Sequence, residues 1–196
     1  MIKFNSTNSK LCNLILIVFL VLFFNSCVQK YLPVQQDNVD ISGEYAVIQN
    51  DTLLIAVKEF LWTSQPEYLP DSYTTFFIKI QNRTKKPIKV NYNDFYVIDQ
   101  VNLQYDIVEP VNVLDMMLQD TALIPDRFSI TAETQRENAS RIYEIRKNIT
   151  GKSFNFGEIM PGAFKEGVLF FPKLNNRNME FRFIYKSNEI KFLKSK

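Results

Sequence analysis

The C-terminal third of the chain alternates apolar and polar residues, and this alternation constrains the fold more than any other feature. Between residues 179 and 186 the apolar side chains stand at every second position: Met179, Phe181, Phe183 and Tyr185. Residues two apart lie on one face of a β-strand, whereas a helix would scatter these side chains around its axis. The pattern therefore predicts a half-buried strand, with residues 189–193 as its hairpin partner.

Shorter apolar or alternating runs recur through the chain. They cover residues 44–49, 52–62, 73–82, 88–90, 95–98, 103–108 and 168–171. The Asn50-Asp51 pair between the first two runs is typical of a tight hairpin, because both residues tolerate positive φ. The run at 168–171 is continuously apolar, which predicts a central strand. At least eight short strands separated by turns predict an all-β fold, an antiparallel β-sandwich.

Residues 111–150 interrupt the strand pattern and predict a short helical insertion. Four apolar residues here have helical spacing and predict one or two turns of helix: Val113, Leu114, Met117 and Leu118. Thr134 and Glu137 have the spacing of a capping box, and Gly151 follows a basic last turn. These signals predict a second helix over 135–148.

The residue types that are absent restrict the chemistry. The 196 residues include no histidine, and the two cysteines are Cys12 and Cys27. A Cys/His zinc site and a Cys–His or Ser–His catalytic pair are therefore excluded, and we expect neither a metal nor a cofactor. Lysine and arginine number 23 against 21 acidic residues, so the net charge of +2 gives no basis for nucleic-acid binding.

The N-terminus has the pattern of an export signal. Residues 1–26 contain Lys3 and Lys10 but no acid, and the run from Leu11 to Phe24 is almost entirely apolar. This run of 14 residues is shorter than the roughly 20 that a membrane-spanning helix needs. We therefore interpret residues 1–26 as a signal peptide.

A small residue, Ser26, and then Cys27 follow shortly after the apolar run. This arrangement resembles the lipobox of bacterial lipoproteins, in which the signal is cut before the cysteine, the cysteine is diacylated and the new N-terminus is acylated. The resemblance implies that Cys27 is the lipidation site and the first mature residue. Two or three acyl chains anchor a protein stably, whereas one does so only reversibly. An uncleaved signal anchor with an incidental Cys27 is the alternative.

The region after Cys27 is expected to connect the anchor to the domain. Residues 27–43 are mostly polar and show no periodicity, so we interpret them as a tether that precedes a domain over 44–196. No aspartate follows Cys27 directly. By resemblance to lipoprotein sorting rules, this implies an outer-membrane protein that faces the periplasm, with surface display as the alternative.

A second resemblance rests on the order of strands and turn motifs. The strand that begins at Phe77 ends in Asn82 before a Lys-Pro turn, an aromatic strand covers 94–99, and a Pro-Gly turn precedes the run at 167–172. This order resembles the immunoglobulin-like (telokin-like) domains of many bacterial lipoproteins of unknown function. It implies an immunoglobulin-like β-sandwich over about 44–193, with residues 110–152 as an insertion, and it brings no catalytic residues.

Without histidine, acid–base catalysis would depend on carboxylates. Five of them lie within 22 residues: Asp94, Asp99, Asp106, Glu109 and Asp115. A glycosidase needs two carboxylates that face each other, one with a raised pKa, but Asp94 and Asp99 are five residues apart and would point to opposite faces of a strand. We expect both to cap turns. A carboxylate-dependent hydrolase that acts on an envelope glycan is the alternative function.

Two groups of residues are candidates for binding. Trp62, Tyr68 and Tyr73 bracket a proline-containing loop, where exposed rings could stack on a sugar or hold a peptide; the alternative is that they fill and cover the core. Met116 and Met117 belong to an apolar stripe that could receive a partner protein or close one end of the sandwich. The sequence thus predicts a membrane-tethered, non-catalytic bacterial envelope lipoprotein that acts as a binding or structural module for a protein or glycan.

Overall fold

The structure is a computed structural model that describes residues 30–122 and 132–195. The predicted signal peptide and the predicted lipidation site, Cys27, lie outside the described residues. Within them the chain is mainly β-structure, with two antiparallel five-stranded sheets, a two-stranded ribbon and a few helices.

The strands are numbered in chain order. In spatial order, the first sheet consists of β1 (Tyr31–Pro33), β12 (Asn188–Lys194), β11 (Glu180–Tyr185), β7 (Phe95–Asp99) and β8 (Gln104–Asp106). The second sheet consists of β10 (Phe164–Pro172), β5 (Tyr73–Asn82), β4 (Leu53–Glu59), β3 (Tyr45–Gln49) and β2 (Asp40–Ser42). The ribbon pairs β6 (Ile88–Val90) with β9 (Gly157–Ile159).

The two five-stranded sheets pack face to face around an aromatic core. The ring of Phe76 lies at its centre. Its centroid is 5.3 Å from those of Phe181 and Phe183 and 5.7 Å from that of Phe192. Edge-to-face and tilted contacts of this kind stabilise a core beyond the area that they bury. The predicted antiparallel β-sandwich is therefore confirmed as two packed five-stranded sheets.

The predicted hairpin and the predicted long strand are also confirmed. Strands β3 and β4 pair on either side of Asn50, whose side-chain oxygen accepts hydrogen bonds from the backbone N–H groups of Thr52 and Leu53, each at 2.9 Å. Strand β5 covers 73–82, as its alternation predicts. Its core-facing residues are completely buried: Phe76, Ile78 and Ile80.

Helices cover the outer face of the second sheet. Helix α1 (Leu69–Ser72) is a single turn before β5, whereas α2 (Pro110–Ala122) and α3 (Ala132–Lys152) pack against each other. A second apolar cluster lies between the helices and the sheet: Trp62, Leu69, Tyr73, Val113, Leu114, Met117, Ile145, Ile149, Val168 and Phe170. The molecule therefore has three layers, and the second sheet is the middle one.

Strand β10 explains the continuous apolar run at 168–171. Leu169 and Phe171 belong to the core between the sheets, whereas Val168 and Phe170 belong to the cluster beneath the helices. The prediction of a central strand is wrong, because β10 lies at the edge of its sheet. Both faces of β10 are nevertheless covered, and a strand that is buried on both faces has no polar face to alternate with.

The helices are longer than their local signals predict. Helix α2 has 13 residues rather than one or two turns, and α3 has 21 residues rather than the predicted 135–148. Thr134 and Gly151 lie inside α3, so the predicted cap and stop positions are wrong. Tertiary packing of an apolar face contributes more to helix stability than local signals do. Ile145 and Ile149 supply that face and are completely buried.

The predicted tether over 27–43 is wrong for six residues of its described part, 30–43. Strand β1 pairs with β12 and β2 pairs with β3, so residues 31–33 and 40–42 belong to the two sheets. Tyr31 is 8 % exposed, and its hydroxyl donates to the Asn178 carbonyl at 2.8 Å. These strands have three residues each, which is too short for a recognisable alternation.

Candidate functional site

The aromatic and methionine candidates lie in one cluster between the second sheet and the helices. The Tyr68 hydroxyl donates to the backbone carbonyl of Met117 at 2.7 Å, and the Tyr73 hydroxyl donates to the Met116 sulfur at 2.9 Å. These contacts join residues that are 49 and 43 positions apart in the chain. The two candidate groups predicted from the sequence are therefore a single structural unit.

Most of these side chains are buried, which bears out the alternative that they fill and cover the core rather than present exposed rings. Trp62 is 4 % exposed and Tyr73 is 7 % exposed, while Met117 is completely buried. The Trp62 ring packs against Phe170 of β10 at 5.9 Å between centroids. Of the five candidates, Tyr68 is half-buried and Met116 is exposed. The cluster thus holds the helices on the sheet and does not present Trp62 or Tyr73 to a ligand.

The loop after Trp62 is connected to the end of α3. The Lys152 ammonium lies 5.2 Å from the centroid of the Trp62 ring and donates to the Ser64 hydroxyl. The Asn148 side chain donates to the Gln65 carbonyl at 3.1 Å. Because the loop is fixed at these points, its role is to connect the sheet with the helices.

Helices α2 and α3 carry four large apolar residues that are exposed. They are Val111, Met116, Ile142 and Tyr143, which are 54 %, 44 %, 38 % and 63 % exposed. We call these four residues the helical surface. Large apolar side chains exposed on two neighbouring helices make it the strongest candidate for contact with a protein partner.

The carboxylate of Asp99 is buried and is fully used in local hydrogen bonds. Its Oδ1 accepts from the backbone N–H groups of Val101 and Leu103, each at 2.9 Å. Its Oδ2 accepts from the Tyr105 hydroxyl and the Asn178 amide, each at 3.2 Å. Desolvation raises the pKa of Asp99, but these hydrogen bonds together hold its pKa below the ordinary value. Asp99 therefore organises the β7–β8 turn, as the sequence predicts.

Asp94 has a similar role at the opposite end of β7. Its carboxylate accepts from the Asn91 backbone N–H at 2.8 Å, in a capping box on the 3-10 turn that precedes β7. Asp94 and Asp99 are five positions apart along this extended segment, a distance of roughly 16 Å at about 3.3 Å per residue. The two carboxylates consequently do not face each other across a site.

Asp106 and Glu109 line a cleft beside β8. The cleft has a volume of 430 Å³, and Tyr92 and Tyr96 also line it. Both carboxylates have exposed side chains, and the Gln104 amide donates to Asp106 at 2.6 Å. A glycosidase acid needs an apolar environment, which an exposed carboxylate lacks. Asp115, on α2, is also exposed.

Glu59 is a half-buried carboxylate that the sequence motifs do not mark. It lines a 360 Å³ cavity together with Tyr31, Thr74, Lys173 and residues of the 174–194 region. Burial raises the pKa of Glu59, although a hydrogen bond from the Tyr31 backbone N–H at 2.5 Å and the charges of Lys30 and Lys173 act in the opposite direction. A signal for it exists in the sequence: Ile55, Val57 and Glu59 occupy alternate positions, so Glu59 continues the core-facing register of β4.

Two further properties concern the described part of the chain. Over residues 30–122 and 132–195, no group of three or more Cys, Asp or Glu side chains is arranged to hold a metal ion. None of the helices described in these ranges has both the length and the apolar character needed to cross a bilayer.

Comparisons with known proteins give only distant similarities. No protein-family model matches the chain, and no curated protein matches it at a significant level. Among solved structures, it is similar to YcdA from Bacillus subtilis, a protein assigned to the lipoproteins, at 12 % identity and a TM-score of 0.39. That match covers 82 % of this chain and 39 % of YcdA, so the chain spans well under half of the YcdA length.

Two other bacterial structures are similar at the same level. The secreted protein MPT63 of Mycobacterium tuberculosis is 8 % identical, with 76 % of this chain and 91 % of MPT63 covered and a TM-score of 0.36. A functionally unknown protein of Listeria monocytogenes EGD-e is 12 % identical, with 81 % and 72 % covered and a TM-score of 0.33. At these scores none of the three assigns a function or a site to this chain.

Proposed function

We propose that this protein is a bacterial envelope lipoprotein in which an immunoglobulin-like β-sandwich is anchored through acyl chains on Cys27. The sandwich acts as a non-catalytic module, and it binds a partner through the helical surface. A protein is the favoured partner because the four exposed residues of that surface are large and apolar, and a glycan is the alternative.

The position of Cys27 is the observation that carries the proposal. Cys27 comes at the end of a basic and then apolar segment of signal-peptide length. The first strand of the sandwich begins at Tyr31, only four residues later. The folded body thus starts where a mature lipoprotein would start, and removal of residues 1–26 would take nothing from the described sheets.

The non-catalytic part of the proposal is supported by the environments of the carboxylates. Asp94 and Asp99 cap turns at opposite ends of β7, and both oxygens of Asp99 accept hydrogen bonds. Asp106 and Glu109 are exposed to solvent. None of these four groups has the desolvated, paired arrangement that glycoside hydrolysis requires.

The anchor is tested by metabolic labelling of the full chain with a fatty acid in a bacterial host. We expect the label on wild-type protein and on the Cys12→Ser variant, because Cys12 belongs to the signal peptide. The Cys27→Ser variant should carry no label and should leave the membrane fraction. Retention of label by Cys27→Ser would refute the proposed lipidation site.

The partner surface is tested with a photo-crosslinking amino acid at Tyr143 of the full chain. Met160 is the matched control, because it is 57 % exposed against 63 % for Tyr143 and lies outside the helices. We expect a discrete adduct from position 143 that is lost in a Val111→Ser variant, and none from position 160. Identical adducts from both positions would contradict the proposal. Deletion of residues 111–150 is unsuitable, since it would uncover Val168 and Phe170.

A carboxylate-dependent hydrolase acting on an envelope glycan is the second candidate, and Glu59 is the observation that favours it. Its desolvated carboxyl group with a raised pKa is of the type that acts as a general acid. The residues that line its cavity include no second carboxylate in the described part of the chain. Release of sugar from envelope glycan by the wild type, but not by Glu59→Gln, would favour this candidate over the first.

A further inference from the structure

The end of the sandwich at which the chain leaves toward Cys27 is firmly held. The Lys30 backbone N–H donates to the Ser195 hydroxyl at 3.1 Å, and the Ser195 N–H donates to the Lys30 carbonyl at 2.7 Å. Three peptide steps separate Lys30 from Cys27, and they span at most about 11 Å when fully extended. The headgroup region of one leaflet is roughly 5–8 Å thick. Acyl chains on Cys27 would therefore hold this end of the sandwich against the membrane surface.

We call this end the anchor end and define it by Lys30, residues 99–103, residues 173–179 and Lys194. Hydrogen bonds connect its parts. The Lys194 N–H donates to the Met179 carbonyl at 2.8 Å, and the Met179 N–H donates to the Gln100 side chain at 3.0 Å. The Asn178 amide donates to Asp99 at 3.2 Å. The two turns and the N-terminal strand thus form one continuous surface.

Three large apolar side chains protrude from the anchor end. Val101 is 71 % exposed, and Leu103 and Met179 are each 56 % exposed. Val101 has the highest exposed fraction among the large apolar residues of the described chain. The Val101 and Leu103 backbone N–H groups donate hydrogen bonds to Asp99, and these bonds fix the turn from which both side chains protrude. An apolar turn next to a lipid anchor has the form of a membrane contact.

Basic residues lie on the same end of the sandwich as this apolar turn. The Lys173 and Lys194 ammonium groups donate to the carbonyls of Pro70 and Asn176, at 2.5 and 2.6 Å. Within the described residues, neither lysine nor Arg177 takes part in an ion pair with a carboxylate. Their positive charges are therefore available for interaction with anionic lipid. Such an interaction contributes about 1 kcal/mol per basic residue near the membrane surface.

The acidic groups of the anchor end are mostly compensated. Glu44 pairs with Lys30 at 2.5 Å, and Glu180 pairs with Lys191 at 2.8 Å. Glu59 is desolvated in its cavity, and Asp99 is buried. The exposed Asp71 lies next to Pro70, the carbonyl partner of Lys173, and offsets part of the positive charge.

The opposite end of the sandwich has similar residue types. Lys85 and Lys86 lie on the turn after β5, and Met160 precedes the turn into β10. Composition alone therefore does not select one end. The covalent path to Cys27 does select one, because it leaves from Lys30 and is too short to bring the far end of β5 to the same surface.

From these observations we infer that the anchor end docks on the bilayer, with Val101, Leu103 and Met179 at the headgroup level and Lys173, Arg177 and Lys194 facing anionic lipid. The inference rests on the proposed acylation of Cys27. It fixes the orientation of the sandwich, with the strands of both sheets roughly along the membrane normal and the helical surface at the side, accessible to a partner.

The orientation is tested with a fluorophore on single introduced cysteines in the full, acylated chain carrying Cys12→Ser. Met179→Cys reports on the anchor end, and Met160→Cys is the matched control because the two methionines are 56 % and 57 % exposed. The protein is reconstituted in vesicles of phosphatidylcholine and phosphatidylglycerol that contain a headgroup-labelled quencher lipid. We expect severalfold stronger quenching of the label at 179 than at 160.

The outcomes distinguish a failure of the proposed orientation from a failure of the proposed anchor. If the protein does not sediment with the vesicles, the proposed anchor fails before any fluorescence is read. If it sediments and the two labels are quenched equally, the anchor stands and the docking inference is overturned. Stronger quenching at 160 would reverse the orientation and would also overturn the inference.

Charge variants test the role of the basic residues. In the Met179→Cys background, Lys173→Glu with Lys194→Glu should reduce quenching in the phosphatidylglycerol vesicles, whereas Lys85→Glu with Lys86→Glu should leave it unchanged. Vesicles of phosphatidylcholine alone should remove the difference between the two double variants. Equal behaviour of both in phosphatidylglycerol vesicles would exclude anionic lipid as the ligand of these lysines.

Discussion

Gly167 of β10 lies directly against the backbone of Phe154: a β-carbon at position 167 would stand 2.6 Å from both the Cα and the amide nitrogen of Phe154. The contact is reinforced by a hydrogen bond from the Phe154 N–H to the Val168 carbonyl at 3.0 Å. It joins the segment that follows α3 to the edge of β10 that does not pair with β5. Glycine is therefore required here because a backbone approaches.

Gly167→Ala should lower the free energy of unfolding by about 1–3 kcal/mol, because the new methyl group meets backbone atoms that cannot move aside cheaply. Gly151→Ala is the matched control, since nothing lies within 4 Å of a β-carbon at that position inside α3. This control should raise stability by up to about 1 kcal/mol through helix propensity. Urea unfolding of both variants measures the difference, and a shift of the same sign in both would contradict the argument.

Removal of either of two buried tyrosine hydroxyls should change the free energy of unfolding, in opposite directions for the two residues. The Tyr185 hydroxyl has no hydrogen-bond partner within the described residues, and burial together with the Asp94 charge raises its pKa far above the ordinary value. The Tyr31 hydroxyl donates to the Asn178 carbonyl at 2.8 Å. Tyr185→Phe should raise the free energy of unfolding by about 1 kcal/mol, and Tyr31→Phe should lower it by about 1 kcal/mol. Equal destabilisation of the two variants in urea unfolding would show that the Tyr185 hydroxyl is satisfied.

The carboxylate of Asp99 should stabilise the fold at neutral pH and lose that effect in acid. Its hydrogen bonds hold its pKa below the ordinary 3.8, so the unfolded chain takes up a proton before the folded chain does. The stabilisation is complete above pH 3.8 and disappears as the pH falls through the lower, folded-state pKa. Asp99→Asn should lower the free energy of unfolding by about 1–3 kcal/mol at neutral pH. This loss of stability should become smaller as the pH falls below 3.8. Asp51→Asn, at an exposed turn, is the control, and a pH-independent cost for Asp99→Asn would be evidence against this account.

Glu59 should affect the pH dependence of stability in the opposite direction to Asp99. Burial raises its pKa above the ordinary 4.5, so the folded chain keeps a proton that the unfolded chain releases. Its ionisation therefore costs stability progressively as the pH rises from 4.5 through the folded-state pKa. Glu59→Gln keeps an oxygen that can accept from the Tyr31 N–H, so its melting temperature relative to wild type should increase with pH across that range. Glu137→Gln, at an exposed position on α3, should show no such trend. A difference in melting temperature between Glu59→Gln and wild type that does not change with pH would contradict the desolvation of Glu59.

The strands of the sandwich core could be predicted from local patterns. Strand β5 is predicted at its observed bounds, and the hairpin of β3 and β4 follows from the Asn50-Asp51 turn. Alternation is visible in the sequence because each of these strands buries one face in the same core. The local patterns do not predict β1, β2 and β9. These strands have three residues each and form only through their pairing with β12, β3 and β6.

The candidate site could be predicted only in part. Trp62, Tyr73 and Met117 belong to a concentration of aromatic and flexible apolar side chains that is visible in the sequence, but the sequence leaves open whether these side chains contact a ligand or fill the core. Their burial depends on α2 and α3, whose lengths exceed what the local caps predict. The outer face of the second sheet becomes an interior only when the helices cover it, and this requires contacts between residues 43 or more positions apart.

Local sequence patterns specify the β-strand character of this chain and its lack of imidazole chemistry, and they supply the N-terminal pattern from which an anchor at Cys27 is proposed. These follow from spacing and residue type, which are local properties. Three other features arise only when the layers pack together: β10 has two covered faces, Glu59 is desolvated, and Lys30 is held against Ser195. Each of these depends on groups brought together from distant parts of the chain, because burial is a property of the assembled layers and not of any segment alone.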